Sequence, residues 1–437
     1  MAFDNIIGYE GVRAEFSFLK KILAHRSELS ERSVDIPCSL LLHGPAGRGK
    51  KFMASEFVKE LGYDSFTFTP EEKCETQLEN FIAWLDKADR DDDNDLHVIC
   101  VHSLDRIAEM DGENGTVMLR TFLDRDLNGS NLFVIATSDT IREGLPACFR
   151  HDRLFERALF IDEPDLEDAR EFFRHLAAKK QLTLGICEDD AAKAVTGISY
   201  AGLDSFLNHA VYLSLDNETG NGPGVISRED FTNTWFRLIF GSGDMSGDWD
   251  DAMRRAACHE AGHVLVGEAF RPGCMGTAGI REGTGIPYRG LVTRCLPDET
   301  DGKLMAAYYL AGMAAEEHCF EGKEAGASSD IEKAMDILRD YVISEGLKGL
   351  SAVSQGDPRN GSPARKERQE NAVDELMEEA YGKAMRIIKE NAETLTALTE
   401  AIYERKFLYA SEIGEILKKH PLGKNDRITI GGTGNEF

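Results

Sequence analysis

The stretch SLLLHGPAGRGKKFMA, residues 39–54, sets an apolar run before a glycine-rich turn and that turn before a helical pattern. A strand that passes through such a turn into a helix is the repeating step of a parallel sheet covered by helices. The alternation recurs between about residues 38 and 161, where SFTF, HVICV, LFVIAT and ALFI are short apolar runs separated by longer amphipathic stretches. This rhythm predicts an α/β core, residues 1–161, built on a parallel sheet. From 162 to 240 the pattern turns helical, as in DLEDAREFFRHLAAKK and GLDSFLNHAVYLSL, and predicts a small helical domain with no strand. GSGDMSGDWD, 241–250, has little to pack and reads as a linker. Residues 251–420 are predicted to be mainly α-helical. There Val373, Leu376, Met377, Ala380, Ala384, Ile387 and Ile388 form an apolar stripe at helical spacing, the mark of a helix that faces a core. The polar run 354–371 reads as a loop and residues 421–437 as a flexible tail.

Composition narrows the function. The 437 residues suffice for two or three domains with real cores. No window approaches the roughly 18 uninterrupted apolar residues of a membrane helix. The first residues, MAFDNIIGYEG, carry acids and glycines in place of a basic start and an apolar run. The expectation is a soluble, cytoplasmic chain with no membrane span. Nine cysteines, an odd number without paired spacing, fit reduced thiols better than a disulfide framework. A formal charge of −27 repels phosphate backbones, so nucleic acid is not an expected partner.

Two stretches carry chemistry. In the first, Gly44 to Lys50 match G-x-x-x-x-G-K. Glycines let backbone N–H groups wrap phosphates, the helix N-terminus adds positive potential, and Lys50 can reach the terminal phosphates. Gly44, Gly47, Gly49 and Lys50 are therefore candidate ligands of ATP or ADP. A hydroxyl for Mg²⁺ belongs at the next position, which holds Lys51 instead. A cation there opposes the metal, so Mg²⁺ binding is in doubt and Lys51 is expected to point away. A glycine-rich turn with no ligand fits the same letters.

In the second, CHEAGHVLVGEAF at 258–270 contains H-E-x-x-H. The i, i+4 spacing puts His259 and His263 on one helical face, able to grip a single Zn²⁺, with Glu260 at the edge of that face. Glu260 is suited to take a proton from the attacking water and return it to the leaving amine. A third protein ligand is needed, and spacing alone does not choose among Glu316, Glu317, Asp330, Glu332 and Asp336. Ser329 to Glu332 also spells a helix capping box, which would favour an acid at Asp330 without any metal. Cys258, beside the first histidine, points elsewhere in a helix and is expected to be a core thiol.

FDNIIGYEG ahead of the glycine loop, IPCSLLLHGPAGRGK through it, and NLFVIATSDT with LPACFRHDRLFERALF after it resemble the AAA+ ATPase module of the FtsH family. LAGMAAEEHCFEGKEAGASSDIEKAMDIL, 310–338, resembles that family's zinc peptidase segment, in which the Asp of an A-S-x-D-I run completes the metal site; here it is Asp330. The likeness runs from residue 3 to about 418. It implies an AAA+ large subdomain at 1–161, a helical lid at 162–240, a mainly α-helical zinc peptidase domain at 251–420 and a hexameric homo-oligomeric ring. Glu316 or Glu317 would orient a metal ligand. YRGLVTRC, 288–295, lies where the family has an edge strand beside the cleft, although an ordinary buried strand fits equally.

The departures are as informative. The family ends its second apolar strand in an Asp and a Glu that hold Mg²⁺ and orient water, where this chain has His102 and Ser103, with Asp105 two residues on. The polar sensor is Ser138 where an Asn is usual. Arg150 and Arg153 fit the R-x-x-R that reaches a neighbouring subunit's phosphate. TPEEKCETQ, 69–77, has no aromatic where the family's pore loop grips polypeptide, and the family's N-terminal membrane anchor has no counterpart. Losing the hydroxyl and both carboxylates removes most of what phosphoryl transfer needs. The expected activity is thus a zinc-dependent endopeptidase acting on unfolded or delivered polypeptides, with an AAA+ half that binds nucleotide weakly and hydrolyses ATP poorly or not at all. Two alternatives stand beside it: an ATP-dependent protease with residual ATPase activity, and a non-catalytic regulatory subunit of an FtsH-type assembly.

Overall fold

The computed structural model describes residues 3–69, 80–81, 83–84, 96–109, 131–140, 145, 155, 157–216, 224–240, 250–283, 286–294, 302–320, 328–345 and 363–423. The chain divides into two compact units, Met1–Leu176 with Gly197–Asp204, and Ala177–Thr196 with Ser205–Phe437.

The first unit holds five parallel strands: β1 (Ser39–His43), β2 (Ser65–Phe68), β3 (His97–Val101), β4 (Leu132–Ser138) and β5 (Arg157–Phe160), in the order β2-β3-β4-β1-β5. β1, β3 and β4 are buried at every position, as continuous apolar runs are when helices cover both faces of a sheet. Helices α1 (Glu10–Ala24), α2 (Arg26–Glu31), α3 (Lys50–Leu61) and α4 (Leu104–Glu109) accompany them. On α1, Val12, Phe16, Leu19 and Leu23 recur at helical spacing and are buried, with Phe16 4.7 Å from the Phe57 ring of α3 between centroids. Each such side chain stabilises the fold by about 1.5–3 kcal/mol on burial. Because the sheet is parallel, the loops after β1, β3 and β4 open at one edge, where ligands bind in such sheets. The register pairs His43 with Ser138, so the segment after β4 lies beside the glycine loop.

Helices α5 (Leu166–Lys179) and α7 (Tyr200–Asp216) each run from the first unit into the second, which also holds α6 (Glu188–Val195) and α8 (Arg228–Phe240). The sequence predicts no strand between residues 162 and 240, yet in the second unit β6 (Thr183–Leu184) and β7 (Val225–Ile226) form a two-residue parallel pair. Such a pair is too short to leave a period in the sequence. There follow α9 (Asp250–Phe270), β8 (Met275–Gly283), β9 (Ile286–Arg294), α10 (Gly302–Cys319), α11 (Ser328–Asp340), a π-helical turn Tyr341–Glu345, α12 (Pro363–Glu390), α13 (Ala392–Arg405), β10 (Phe407–Tyr409) and α14 (Ala410–Lys419). β8 is central in an antiparallel sheet ordered β10-β8-β9, which leaves β9 at an edge. The predicted stripe on α12 is buried in this unit's core, with Met377 partly buried against it. Among the described residues no helix is long and apolar enough to cross a membrane.

Candidate functional site

Helix α9 carries His259, Glu260 and His263, and all three are buried. It is apolar almost all round: Ala256, Ala257, Ala261, Val264, Leu265 and Val266 are each fully covered, so the helix runs through the core and draws its histidines inside. Its neighbour α10 approaches closely because small residues line the crossing. A Cβ added at Gly312 of α10 would lie 2.4 Å from the Nε2 atom of His259, so only glycine lets that ring lie where it does.

The two rings are held from behind. His259 Nδ1 is 2.7 Å from Glu316 Oε1 and His263 Nδ1 is 2.8 Å from the Tyr308 carbonyl, both on α10. A carboxylate and a carbonyl only accept, so each Nδ1 carries the proton and each Nε2 presents a lone pair. Those Nε2 atoms are 3.1 Å apart, and Asp330 Oδ2, in the first turn of α11, lies 3.3 Å from one and 3.5 Å from the other. Three electron-pair donors at these separations repel unless a cation sits among them. Tetrahedral ligands at zinc distances are about 3.3–3.4 Å apart, so the triangle fits Zn²⁺. Among the described residues, His259, His263 and Asp330 form the one such potential metal-holding group.

Charge at the site follows the same geometry. Burial lowers the affinity of His259 for a proton, but the carboxylates of Asp330 and Glu316 outweigh it and push its pKa up to about 10. A proton takes the cation's part when no metal does. Burial acts against ionised Asp330 too, yet hydrogen bonds to both histidines hold its carboxyl well below the usual carboxylate range. Glu260 is raised by burial against the pull of His259 and His263, which makes it a better base than a surface glutamate. The other acids considered for the third ligand lie elsewhere: Glu316 holds the far nitrogen of His259, Glu317 accepts a bond from the Tyr381 hydroxyl at 2.5 Å, and Glu332 and Asp336 are exposed. Cys258 is buried, its Sγ directed at the Ala315 carbonyl 3.5 Å away.

In the first unit, Gly44 adopts φ 138°, and a Cβ there would lie 2.4 Å from the Ile161 carbonyl oxygen. Gly47 and Gly49 are also at positive φ, and α3 begins at Lys50 directly after them. Lys50 is 3% exposed; its Nζ donates to the carbonyls of Gly44 at 2.8 Å and Pro45 at 2.5 Å and pairs with Asp139 Oδ1 at 2.8 Å. Lys51 is exposed. Its charge, after burial, is the second cause of a lowered pKa at His102, so it lies near enough to that ring to act on it. Ser103 is buried with φ 54°, and its N–H donates to Thr137 Oγ1 at 3.1 Å. Asp105 Oδ1 accepts the Asp139 N–H at 3.1 Å, and the Ser138 hydroxyl donates to the Thr140 carbonyl at 2.9 Å. Arg150, Arg153 and residues 70–77 lie outside the described residues.

Residues 250–416 match the model of Peptidase family M41, and residues 40–162 match that of the ATPase family associated with various cellular activities (AAA). The chain is 25% identical to ATP-dependent zinc metalloprotease FtsH 4 of Synechocystis, over 95% of this chain and 71% of that protein. It is 28% identical to the ATP-dependent zinc metalloproteases FtsH of Mycoplasma pneumoniae and Mycoplasma genitalium, covering 95% and 96% of this chain and 62% and 63% of theirs. Over nearly its whole length the chain is therefore similar to FtsH-type zinc metalloproteases. It spans less than two thirds of the length of the two mycoplasma relatives. The M41 match encloses the whole His259, Glu260, His263 and Asp330 constellation, and the AAA match encloses the glycine loop with His102, Ser138 and Asp139. Three contributors to these sites leave little or no mark in the sequence: Gly312, the Tyr308 carbonyl and Asp139. A glycine inside the predicted helix LAGMAAEE was the only trace of the first, and the other two depend on which elements pack together.

Proposed function

We propose that the chain is a zinc-dependent endopeptidase that cleaves unfolded or delivered polypeptides. The observation that carries this is the triangle of His259 Nε2, His263 Nε2 and Asp330 Oδ2, with Glu260 one residue along the same buried helix. Zn²⁺, when bound by those three side chains, supplies Lewis acidity that acidifies water and polarises a scissile carbonyl. Glu260 receives the proton of the attacking water and delivers it to the leaving amine, a role its raised pKa suits. Glu316 and the Tyr308 carbonyl fix the tautomers and ring planes of the two histidines, so neither reorganises during turnover.

The AAA half is read as an assembly or access module: it binds ATP or ADP weakly through Gly44, Gly47, Gly49 and Lys50 and hydrolyses ATP poorly or not at all. His102 and Ser103 in place of carboxylates, and Lys51 in place of a hydroxyl, support this reading. With it go a homo-hexameric ring in which Arg150 and Arg153 act on a neighbouring subunit, and a division into large subdomain 1–161, helical lid 162–240, linker 241–250, peptidase domain 251–420 and tail 421–437. A cytoplasmic location rests on the thiol-bearing sequence.

Cleavage of casein by the zinc-loaded protein, with and without ATP and Mg²⁺, tests the proposal beside Glu260→Gln. The expected result is a rate unchanged by nucleotide and lowered by about 10²–10⁴ in the variant. Strict ATP dependence would instead establish the coupled protease, and no cleavage in any condition would establish the regulatory subunit.

A further inference from the structure

A lysine ammonium has three N–H donors and no more. Those of Lys50 meet three acceptors within the protein: the Gly44 carbonyl at 2.8 Å, the Pro45 carbonyl at 2.5 Å and the Asp139 carboxylate at 2.8 Å. None is left for a phosphate. The lysine side chain is 3% exposed, so water reaches these bonds mainly from the side of the exposed Asp139 carboxylate. Asp139 is held in place in turn. It follows β4, whose last residue Ser138 pairs in register with His43 at the end of β1, and its N–H donates to Asp105 Oδ1 at 3.1 Å. The second cation of the loop is engaged as well: Arg48 pairs with Glu163 and donates to the Gly197 carbonyl at 2.9 Å.

We infer that Asp139 is a built-in competitor for nucleotide phosphate: its carboxylate takes the position on Lys50 that a terminal phosphate needs, and the glycine loop admits nucleotide only when that pair opens. This rests on the proposed reading of Gly44 to Lys50 as a phosphate cradle and adds its regulation. A phosphate entering the cradle must break an ion pair whose lysine is buried and whose carboxylate is exposed, and then sit beside the displaced carboxylate, a like charge. The first step scales apparent affinity by the fraction of time the pair is open, about tenfold weaker for a pair closed nine-tenths of the time, and the like charge weakens it further. The pair also does the structural work of a bound phosphate, since it neutralises a buried lysine that would otherwise be unpaired. The AAA half can therefore hold its loop without nucleotide.

The test is titration of the full chain with the fluorescent nucleotide mant-ATP, with and without Mg²⁺. Wild type, Asp139→Asn, Lys50→Ala and the double variant are compared, and a thermal melt of each confirms that it is folded. Asp139→Asn keeps the shape and a neutral acceptor for Lys50; were it not to fold, Asp139→Ser serves in its place. The expected result is binding at least about tenfold tighter in the Asp139 variant than in wild type, lost again in the double variant. Equal binding by wild type and the Asp139 variant, weakened in both by Lys50→Ala, would overturn the competitor and leave the cradle standing. No binding by any folded variant at millimolar nucleotide would overturn both.

Discussion

Gly312 bears on the metal site without contributing an atom to it. Its missing side chain is the space that the His259 ring occupies, and a methyl group 2.4 Å from Nε2 leaves the ring no place beside Asp330. Gly312→Ala is expected to cost about 1–3 kcal/mol of stability through overpacking and to lower zinc affinity by about tenfold or more, the range seen when a ligand loses its orientation. Chelator competition with metal analysis measures the second effect, and unchanged affinity would mean that α10 yields instead of the ring. His102 makes a different prediction at the same scale. Burial first and the Lys51 charge second lower its pKa below the ordinary 6.5. As pH falls below that value the unfolded chain takes up the proton before the folded one does. The stability His102 confers is therefore complete above pH 6.5 and is lost as pH falls towards its folded pKa. Between about pH 7.5 and 5.5 the wild type should lose more resistance to urea than His102→Gln does; equal losses would assign the acid sensitivity to other groups.

At the scale of elements, Gly44 joins two roles that the sequence does not separate. The G-x-x-x-x-G-K pattern explains it by phosphate, whereas the structure supplies a second reason: β1 turns into the loop against the Ile161 carbonyl that follows β5. Gly44→Ala should therefore destabilise the first unit by about 1–3 kcal/mol with no nucleotide present, read as a lower urea midpoint; an effect seen only with ATP would leave the phosphate role alone. The same contrast explains what could be read in advance. SLLLH, SFTF and HVICV coincide with β1, β2 and β3 because an apolar run between helices has one place in a covered parallel sheet. β8 was illegible because MGTAGIREG sets three glycines among nine residues and has no alternation, and β10 because FLY is three residues long. They are strands by virtue of each other, Phe407 pairing with Gly279 and Tyr409 with Thr277. At the metal site the H-E-x-x-H spacing marked out two ligands by helix geometry alone. That Asp330 lies 3.3 Å from His259 was not in the spacing, because it depends on how α11 packs against α9 and α10.

On the scale of the whole molecule, the division into two compact units decides how metal and stability are coupled. His259, His263 and Asp330 all belong to the unit that contains Ser205–Phe437, and no residue of the other unit is among them. A ligand that binds only the folded form stabilises it by RT ln(1 + [L]/Kd), about 2.7 kcal/mol at a hundredfold excess over Kd. Metal removal should therefore withdraw stability from one unit and spare the other. In calorimetry of the full chain, a chelator is expected to lower one unfolding transition by several degrees and leave the second in place. Asp330→Asn should reproduce the lowered transition and lose most of its response to chelator, whereas Glu260→Gln should keep that response, because Glu260 is not one of the three donors. A chelator shift in both transitions would mean that the units unfold as one cooperative body, and no shift in either would remove the metal from the folding equilibrium. The same experiment separates the two halves functionally. Nucleotide should raise only the transition that the chelator leaves untouched, and at equal concentration should raise it further once Asp139 is replaced.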